Sequence, residues 1–419
     1  MDVKYSGHNV NSSGLISQEP STPRGPDVPR IPDVPGLARL ARAPGTAPWA
    51  LLLALVVGTA CSPRSGPDET SPGPTAQEEW VKVFPTYAYQ EGGEWHIPLT
   101  YRVHEERSWL GRVTARVAEQ LTDPDPAEMD RFRERIHDFV TDSESRESVT
   151  FVVEEDPLDR PLRLEDAEGE PVRTGLNGVA SGTLTLDPEM VREIRAAGGV
   201  DDWMTLTAVS PDHAGRGRVH LVEDQGLSII SDIDDTVKRT GIPSGARTVV
   251  RKTFFEEWEA LPRMAERFQE WEAEAGGSLA IHWVSAGPTQ LQRHLKEFLT
   301  APEQGFPAGS FHMRHIRRHP LSLRTWRDLY NLVVDETGTF DYKVAETARI
   351  VERFPDRDFI LVGDSGQDDP EAYRAVQERY PERIRKIVIR DVVDARTRNP
   401  ERLEGMEVVA AEDLRSAPR

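Results

Sequence analysis

From residue 226 onward five short apolar runs recur along the chain: LSIISDI, SLAIHWVSA, GSFHMRHI, DFILVGDS and IRKIVIRDV. Short apolar runs of this kind are what parallel strands buried on both faces require. Between them lie FFEEWEALPRMAERFQEWEAEA and YKVAETARIVERF, whose apolar residues return at helical spacing. Strand alternating with helix in this way predicts a doubly wound α/β sheet. Chemistry in such a sheet collects at the carboxyl ends of the strands. That is where this chain places Asp232 to Thr236, Ser285 and Asp364.

The texture is different upstream. WHIPLTYRVHEE, SVTFVVEE, GVASGTLTL, MTLTAVS and GRVHLVE are short β-branched runs separated by Gly, Pro and Asp, which predicts a β-rich, sandwich-like domain over 80–223. Met129, Phe132, Ile136 and Phe139 fall at helical spacing and predict one helical insertion. His96, His104 and His137 are scattered without the spacing of metal ligands and read as structural. A catalytic domain over 224–415 follows.

The 419 residues carry a formal net charge of -20, which argues against nonspecific nucleic-acid binding. The single cysteine, Cys61, excludes an intramolecular disulfide. It follows WALLLALVVGTA (49–60), an apolar run of signal-peptide length with Arg39 and Arg42 just upstream. Gly58-Thr59-Ala60-Cys61 resembles a bacterial lipoprotein box, and the polar Pro/Gly/Ser tract over 62–79 is suited to tether a domain to a lipidated end. Residues 1–61 are therefore expected to be a disordered N-terminus and a lipoprotein-type signal peptide, with translation starting near Val34 or Leu37. The expected location is extracytoplasmic and membrane-anchored, on the periplasmic face of an outer membrane, because serine follows the cysteine.

The aspartates supply the chemistry. Asp232 and Asp234 are alternate residues leaving a strand, so their carboxylates can face one crevice. A carboxylate can attack phosphorus and form an aspartyl-phosphate. A second acid two residues on can protonate the departing alkoxide and then deprotonate water. Two anions facing a phosphate call for Mg²⁺, which prefers oxygen ligands and is held by few carboxylates. Asp364, with Asp368 or Asp369, can complete a metal shell with Asp232 and Asp234. Thr236 stands behind the acids, Ser285 offers a hydroxyl to a phosphoryl oxygen, and Lys343 can neutralise the nucleophile and the transferring group.

This set resembles the haloacid-dehalogenase (HAD) phosphatase superfamily. ISDIDDTVKRTGI, FPAGSFHMR, FPDRDFILVGDSGQDDPEAY and YPERIRKIVIRDV further resemble the catalytic domain of the fungal actin-patch-associated, Mg²⁺-dependent phosphatidate phosphatases, over roughly residues 217–395. The resemblance implies a Rossmann-like domain with a small cap. It implies Asp232 as nucleophile, Asp234 as acid/base, Thr236 and Ser285 as assistants, and Lys343 as the neutralising cation. Asp364 and Asp369 would serve the metal, Asp369 because it precedes Pro370 as in the family. Gly287-Pro288 departs from the family, which usually has serine before that proline.

HMRHIRRHPLSLRTWR (312–327) holds five arginines and three histidines with no acid, a local inversion in an acidic chain. Its arginines can attract anionic headgroups, or can form a solvated face paired with acids nearby. Lys238, Arg314 and Arg317 are the expected substrate contacts. The reading is an Mg²⁺-dependent phosphatidate phosphatase whose partner is an anionic phospholipid at a membrane surface. A broad extracytoplasmic phosphomonoesterase and a membrane-tethered binding protein are the alternatives.

Overall fold

The structure, a computed structural model, describes residues 79–105, 123–198, 202–314, 330–331, 333–334 and 338–411. The apolar run 49–60, Cys61, the linker to Glu78, Arg317 and Arg318 lie outside them. Among the described residues no helix is long and apolar enough to cross a membrane.

The β-rich part contributes β1 (Glu79–Val83), β2 (Thr86–Glu91), β3 (Glu94–Glu105), β4 (Asp142–Ser143), β5 (Thr150–Val153), β6 (Leu162–Arg163), β7 (Val179–Leu186), β8 (Trp203–Ala208), β9 (His213–Ala214) and β10 (Arg216–Leu221). One hydrogen-bonded path runs β6-β5-β8-β10-β2-β3-β1-β9, with β4 and β7 also paired to β3. Alternate residues of β3, β5, β7 and β8 meet in a single core that includes Ile97, Leu99, Tyr101, Phe151, Leu184 and Leu206. The path closes tightly where β10 lies against β1: a Cβ on Gly217 would sit 2.2 Å from Val83 Cγ1, so glycine is needed for the close approach.

Among the described residues this stretch holds two helices, α1 (Pro126–Val140) and α2 (Pro188–Gly198). A capping box between Asp125 and Glu128, with Pro126 in the first turn, starts α1. The face predicted from its sequence is the buried one, yet it does not join the β core. Phe132 stacks on Phe255 with ring centroids 4.9 Å apart, and Met129, Ile136 and Phe139 enter the core of the catalytic part. Phe132→Ala is expected to cost about 3–5 kcal/mol in denaturant unfolding, since a buried aromatic leaves a cavity that packed neighbours cannot refill. A cost under about 1 kcal/mol would mean that α1 is not needed to hold this core.

The catalytic part holds α3 (Ala246–Val250), α4 (Met264–Ala275), α5 (Gln292–Leu299), α6 (Thr339–Arg353) and α7 (Asp369–Arg379) around β11 (Gly226–Ser231), β12 (Leu279–Pro288), β13 (Ser310–Arg314), β14 (Arg357–Asp364), β15 (Ile384–Asp391) and β16 (Glu407–Ala410). All six strands are parallel, in the order β13-β12-β11-β14-β15-β16. Side chains alternate between two cores: Ile229, Trp283 and Val362 enter one with α4 and α5, while Ile230, Val284 and Leu361 enter the other with α6 and α7. The mixed α/β class with a doubly wound parallel sheet is as the apolar runs predict. β11 comes first in sequence but lies in the middle, between β12 and β14. The strand order therefore reverses beside it, and a crevice opens at the carboxyl ends of β11 and β14.

One predicted helix is divided. Phe254 and Phe255 close a π-helical turn, Arg251–Phe255, and α4 begins only at Met264. Pro262 cannot supply an interior helical N–H, and Arg263 takes a left-handed conformation with φ 67°.

Candidate active site

β11 delivers Asp232 into the crevice, where its backbone N–H donates to the carbonyl of Val362 on β14 at 2.9 Å. The carboxyl is 1% exposed. Thr236 Oγ1 donates to its Oδ2 at 3.0 Å, and Lys343 Nζ lies 3.0 Å from its Oδ1. Lys343 reaches this point from the second turn of α6 and also contacts the Asp369 carboxylate. Burial drives the Asp232 carboxyl upward; Lys343 opposes that, and Asp369 and Asp234 add to it, leaving the group near about 7.

Asp364 ends β14 and Asp369 starts α7. Carboxylate oxygens of Asp232, Asp364 and Asp369 all lie within 4.8 Å of one another. Asp364 Oδ1 accepts from the Gly366 N–H at 2.6 Å, but its buried Oδ2 meets no donor. Burial, then Asp369 and Asp232, push the Asp364 carboxyl well above the usual carboxylate range. An orphaned oxygen in a knot of three buried carboxylates suits a hard divalent cation with oxygen ligands. Asp368, by contrast, is exposed, so it is Asp369 that the fold turns into the cluster.

The loop after β11 is fastened by Asp235, which sits at φ 57°. Its carboxylate accepts from the backbone N–H groups of Thr240, Gly241 and Ile242 at 2.9, 2.7 and 2.7 Å. This staple fixes where Asp234 and Lys238 meet. Lys238 Nζ lies 2.9 Å from Asp234 Oδ1, and Thr240 Oγ1 donates to the same oxygen at 2.5 Å. Burial would raise the Asp234 carboxyl, but Lys238 and Thr240 hold it below its ordinary value. Asp234 is thus beside the three-carboxylate cluster but not one of it. Lys238, predicted as a substrate contact, lines the same pocket with its ammonium engaged by Asp234 and Thr240.

Ser285 lies where the register of β12 against β13 shifts, the kind of irregularity that re-aims a side chain. Its Oγ accepts from the Gly287 N–H at 3.0 Å. The β-rich part braces this segment: Lys82 Nζ, held by Asp138 at 2.7 Å, donates to the carbonyls of Thr289 and Gln290 at 3.4 and 3.5 Å. Arg314 ends β13 with its guanidinium 5.7 Å from the Tyr342 ring centroid.

Asp232, Asp234, Lys238 and Ser285 line one pocket together with the apolar side chains of Ile242, Val249, Leu291, Leu295, Met313 and Val333. Part of that lining is braced by α1, because Arg135 donates to the carbonyls of Thr253, itself a lining residue, and Glu256 at 2.9 and 2.7 Å. Sequence reasoning did not reach Asp235, Thr240, Lys82 or Arg135. Gly241 after the acidic run was the available signal for the first two; the others act across long sequence separations that leave no local trace.

Aspartates converging at the switch point of a doubly wound sheet form a candidate active site. Residues 227–391 match the family described as phosphatidate phosphatase APP1, catalytic domain. The phosphatidate phosphatase APP1 of Saccharomyces cerevisiae is 30% identical over 177 residues, covering 41% of this chain and 27% of the relative. An uncharacterized protein of Schizosaccharomyces pombe is 30% identical over 176 residues, covering 42% and 27%. The chain thus spans about a quarter of the length of these relatives. Among solved structures, a β-glucuronidase of Ruminococcus gnavus aligns at a TM-score of 0.20 and 13% identity, covering 77% of this chain and 46% of its own. That likeness is too slight to bear on the fold.

Proposed function

We propose that this protein is a phosphatidate phosphatase of HAD type that works through an aspartyl-phosphate on Asp232. The observation that carries the reading is the pocket itself, whose lining combines a buried carboxylate held by Thr236 and Lys343 with a set of apolar side chains. A phosphate ester with an apolar body has the chemistry to meet both kinds of lining. Asp232 attacks phosphorus, the ester P–O bond breaks, and Asp234 gives its proton to the departing alkoxide. Asp234 then takes a proton from water as the water oxygen attacks phosphorus and the bond to Asp232 breaks, releasing phosphate. Lys238 and Thr240 keep Asp234 ionised before substrate arrives, which suits the second step. A phosphate dianion beside it favours the protonated form needed for the first. Lys343 offsets charge on Asp232 and on the transferring group.

Asp232, Asp364 and Asp369 are the residues that would hold Mg²⁺. When bound it would supply positive charge to the phosphoryl oxygens. The segment 239–263, backed by α1, is the part we assign as the small cap. Lipidation at Cys61 would place the pocket beside a membrane.

Mg²⁺ binding also predicts a stability signature. The folded Asp232 carboxyl, near about 7, lies above its ordinary 3.8. Its contribution is therefore complete below the unfolded value and is lost as pH rises through about 7. Mg²⁺ binds the ionised cluster, so it should raise the unfolding temperature more on the alkaline side of that value than on the acid side. A Mg²⁺ shift that is equal on both sides, or absent, would contradict the assignment.

The substrate is tested by phosphate release from phosphatidate in mixed micelles against a panel of soluble phosphomonoesters. Phosphatidate should give the higher kcat/KM. Uniformly higher values for the soluble esters would replace this reading with a broad phosphomonoesterase.

A further inference from the structure

A second cavity lies beside the reaction pocket, between the β-rich and catalytic parts. Its floor comes from β2 and β3, including Thr86 and Tyr87, and its roof from β13 and α6. Met313 lines both cavities, and the chain passes directly from Leu291 on the reaction pocket to Gln292 on the second one. No step of the reaction above uses any group that is confined to this space.

Three observations give it a chemistry. Arg349 and Arg353, one turn apart on α6, both line it. Arg353 donates to the Tyr87 hydroxyl at 2.5 Å, and Arg349 pairs with Glu346. Each guanidinium has more N–H donors than that single partner takes up. Among the described residues the carboxylate in the lining is that of Glu346, and it is already matched, because its Oε1 also meets His312 Nδ1 at 2.5 Å. The second observation is independent of charge: Gln292 is 3% exposed, and its buried Nε2 has no hydrogen-bond partner among the described residues. An unpaired buried amide costs about 1–3 kcal/mol, so it points to an acceptor that the protein itself does not provide. Third, the Thr86 hydroxyl spends its proton on the Pro98 carbonyl at 2.7 Å, so it adds no donor to the two arginines and the amide.

We propose that this cavity is a second binding site, for a phosphate-type oxyanion, with Arg349 and Arg353 as its charged donors and Gln292 Nε2 as its neutral one. Guanidinium pairs with phosphate oxygens in a fork geometry that a neutral ligand would not need. The inference stands apart from the reading of the reaction pocket, since it holds whichever ester is hydrolysed at Asp232.

The test uses the whole chain with Mg²⁺ chelated, so that the reaction site lacks the cation proposed to hold a phosphate there. Inorganic phosphate is titrated in one arm, and vesicles of phosphatidylcholine with phosphatidylglycerol in the other, with affinity read by calorimetry. A site for free phosphate responds in the first arm, and a site for a lipid headgroup responds only in the second. In the responding arm, Arg349→Met/Arg353→Met should weaken binding by about tenfold or more. Gln292→Leu should weaken it by about threefold or more while leaving the anion-free unfolding temperature unchanged or higher. That second variant guards against misfolding, since it removes no bond within the protein. Response in neither arm overturns the proposal, as does equal affinity in the wild type and both variants.

Discussion

Asp232→Asn is expected to reduce phosphate release by orders of magnitude while leaving the fold intact. The amide nearly preserves the carboxylate's shape and can still accept from Thr236 Oγ1, which lies 3.0 Å from Oδ2. What it loses is the nucleophilic oxygen. If, as proposed, an aspartyl-phosphate divides the reaction into two steps, loss of the nucleophile removes both, and kcat should fall with little change in KM. Exchanging a raised, buried carboxyl for a neutral amide should not lower stability at neutral pH, and that is the control for folding. Near-normal turnover by a purified, folded variant would take the nucleophile's role away from Asp232.

Lys343→Met should be the other large effect, and here stability and activity fall together. Lys343 is fully buried and touches Asp232 and Asp369. Methionine keeps much of the volume but leaves the carboxylates facing one another without their cation. Removing one partner of a buried ionic cluster costs about 3–5 kcal/mol, and loss of a transition-state cation costs about 100- to 1,000-fold in kcat. The pH dependence carries a sign. Without the lysine the Asp232 and Asp364 carboxyls, which it holds down, should rise further, so the variant should regain stability as pH falls and they take up protons. Thermal unfolding across pH checks this. A variant as stable as the wild type throughout, with kcat unchanged, would place Lys343 outside the site.

Much of the site was legible because each aspartate ends an apolar run. Buried parallel strands read plainly in a sequence, and the residues just past them must face the crevice. That reasoning placed Asp232, Ser285 and Asp364 together without coordinates, whereas Lys343, on a helix, was read from its place near a helix start and from the resemblance. It could not choose between Asp368 and Asp369, because the choice depends on which of two neighbours the first turn of α7 rotates inward. The Gly363 position makes the constraint visible: a Cβ there would lie 2.5 Å from Asp369 Oδ2. The helix α1 was predicted correctly as a helix but assigned to the β-rich part, since periodicity reports that a face is buried and not what buries it. Its partners, Phe254 and Phe255, lie more than a hundred residues further on. Lys82 was invisible for the same reason, and as a lone lysine in a strand it reads as surface.

The account stands on a covalent bond between Asp232 and phosphorus, and that bond can be sought directly. The enzyme is mixed with phosphatidate and Mg²⁺, quenched in acid within a turnover, and treated with borohydride, which reduces an acyl phosphate but not a free carboxylate. Peptide mass spectrometry should find homoserine at position 232 only when substrate was present. Unmodified Asp232 under conditions of active turnover, or homoserine at another aspartate, would contradict the mechanism.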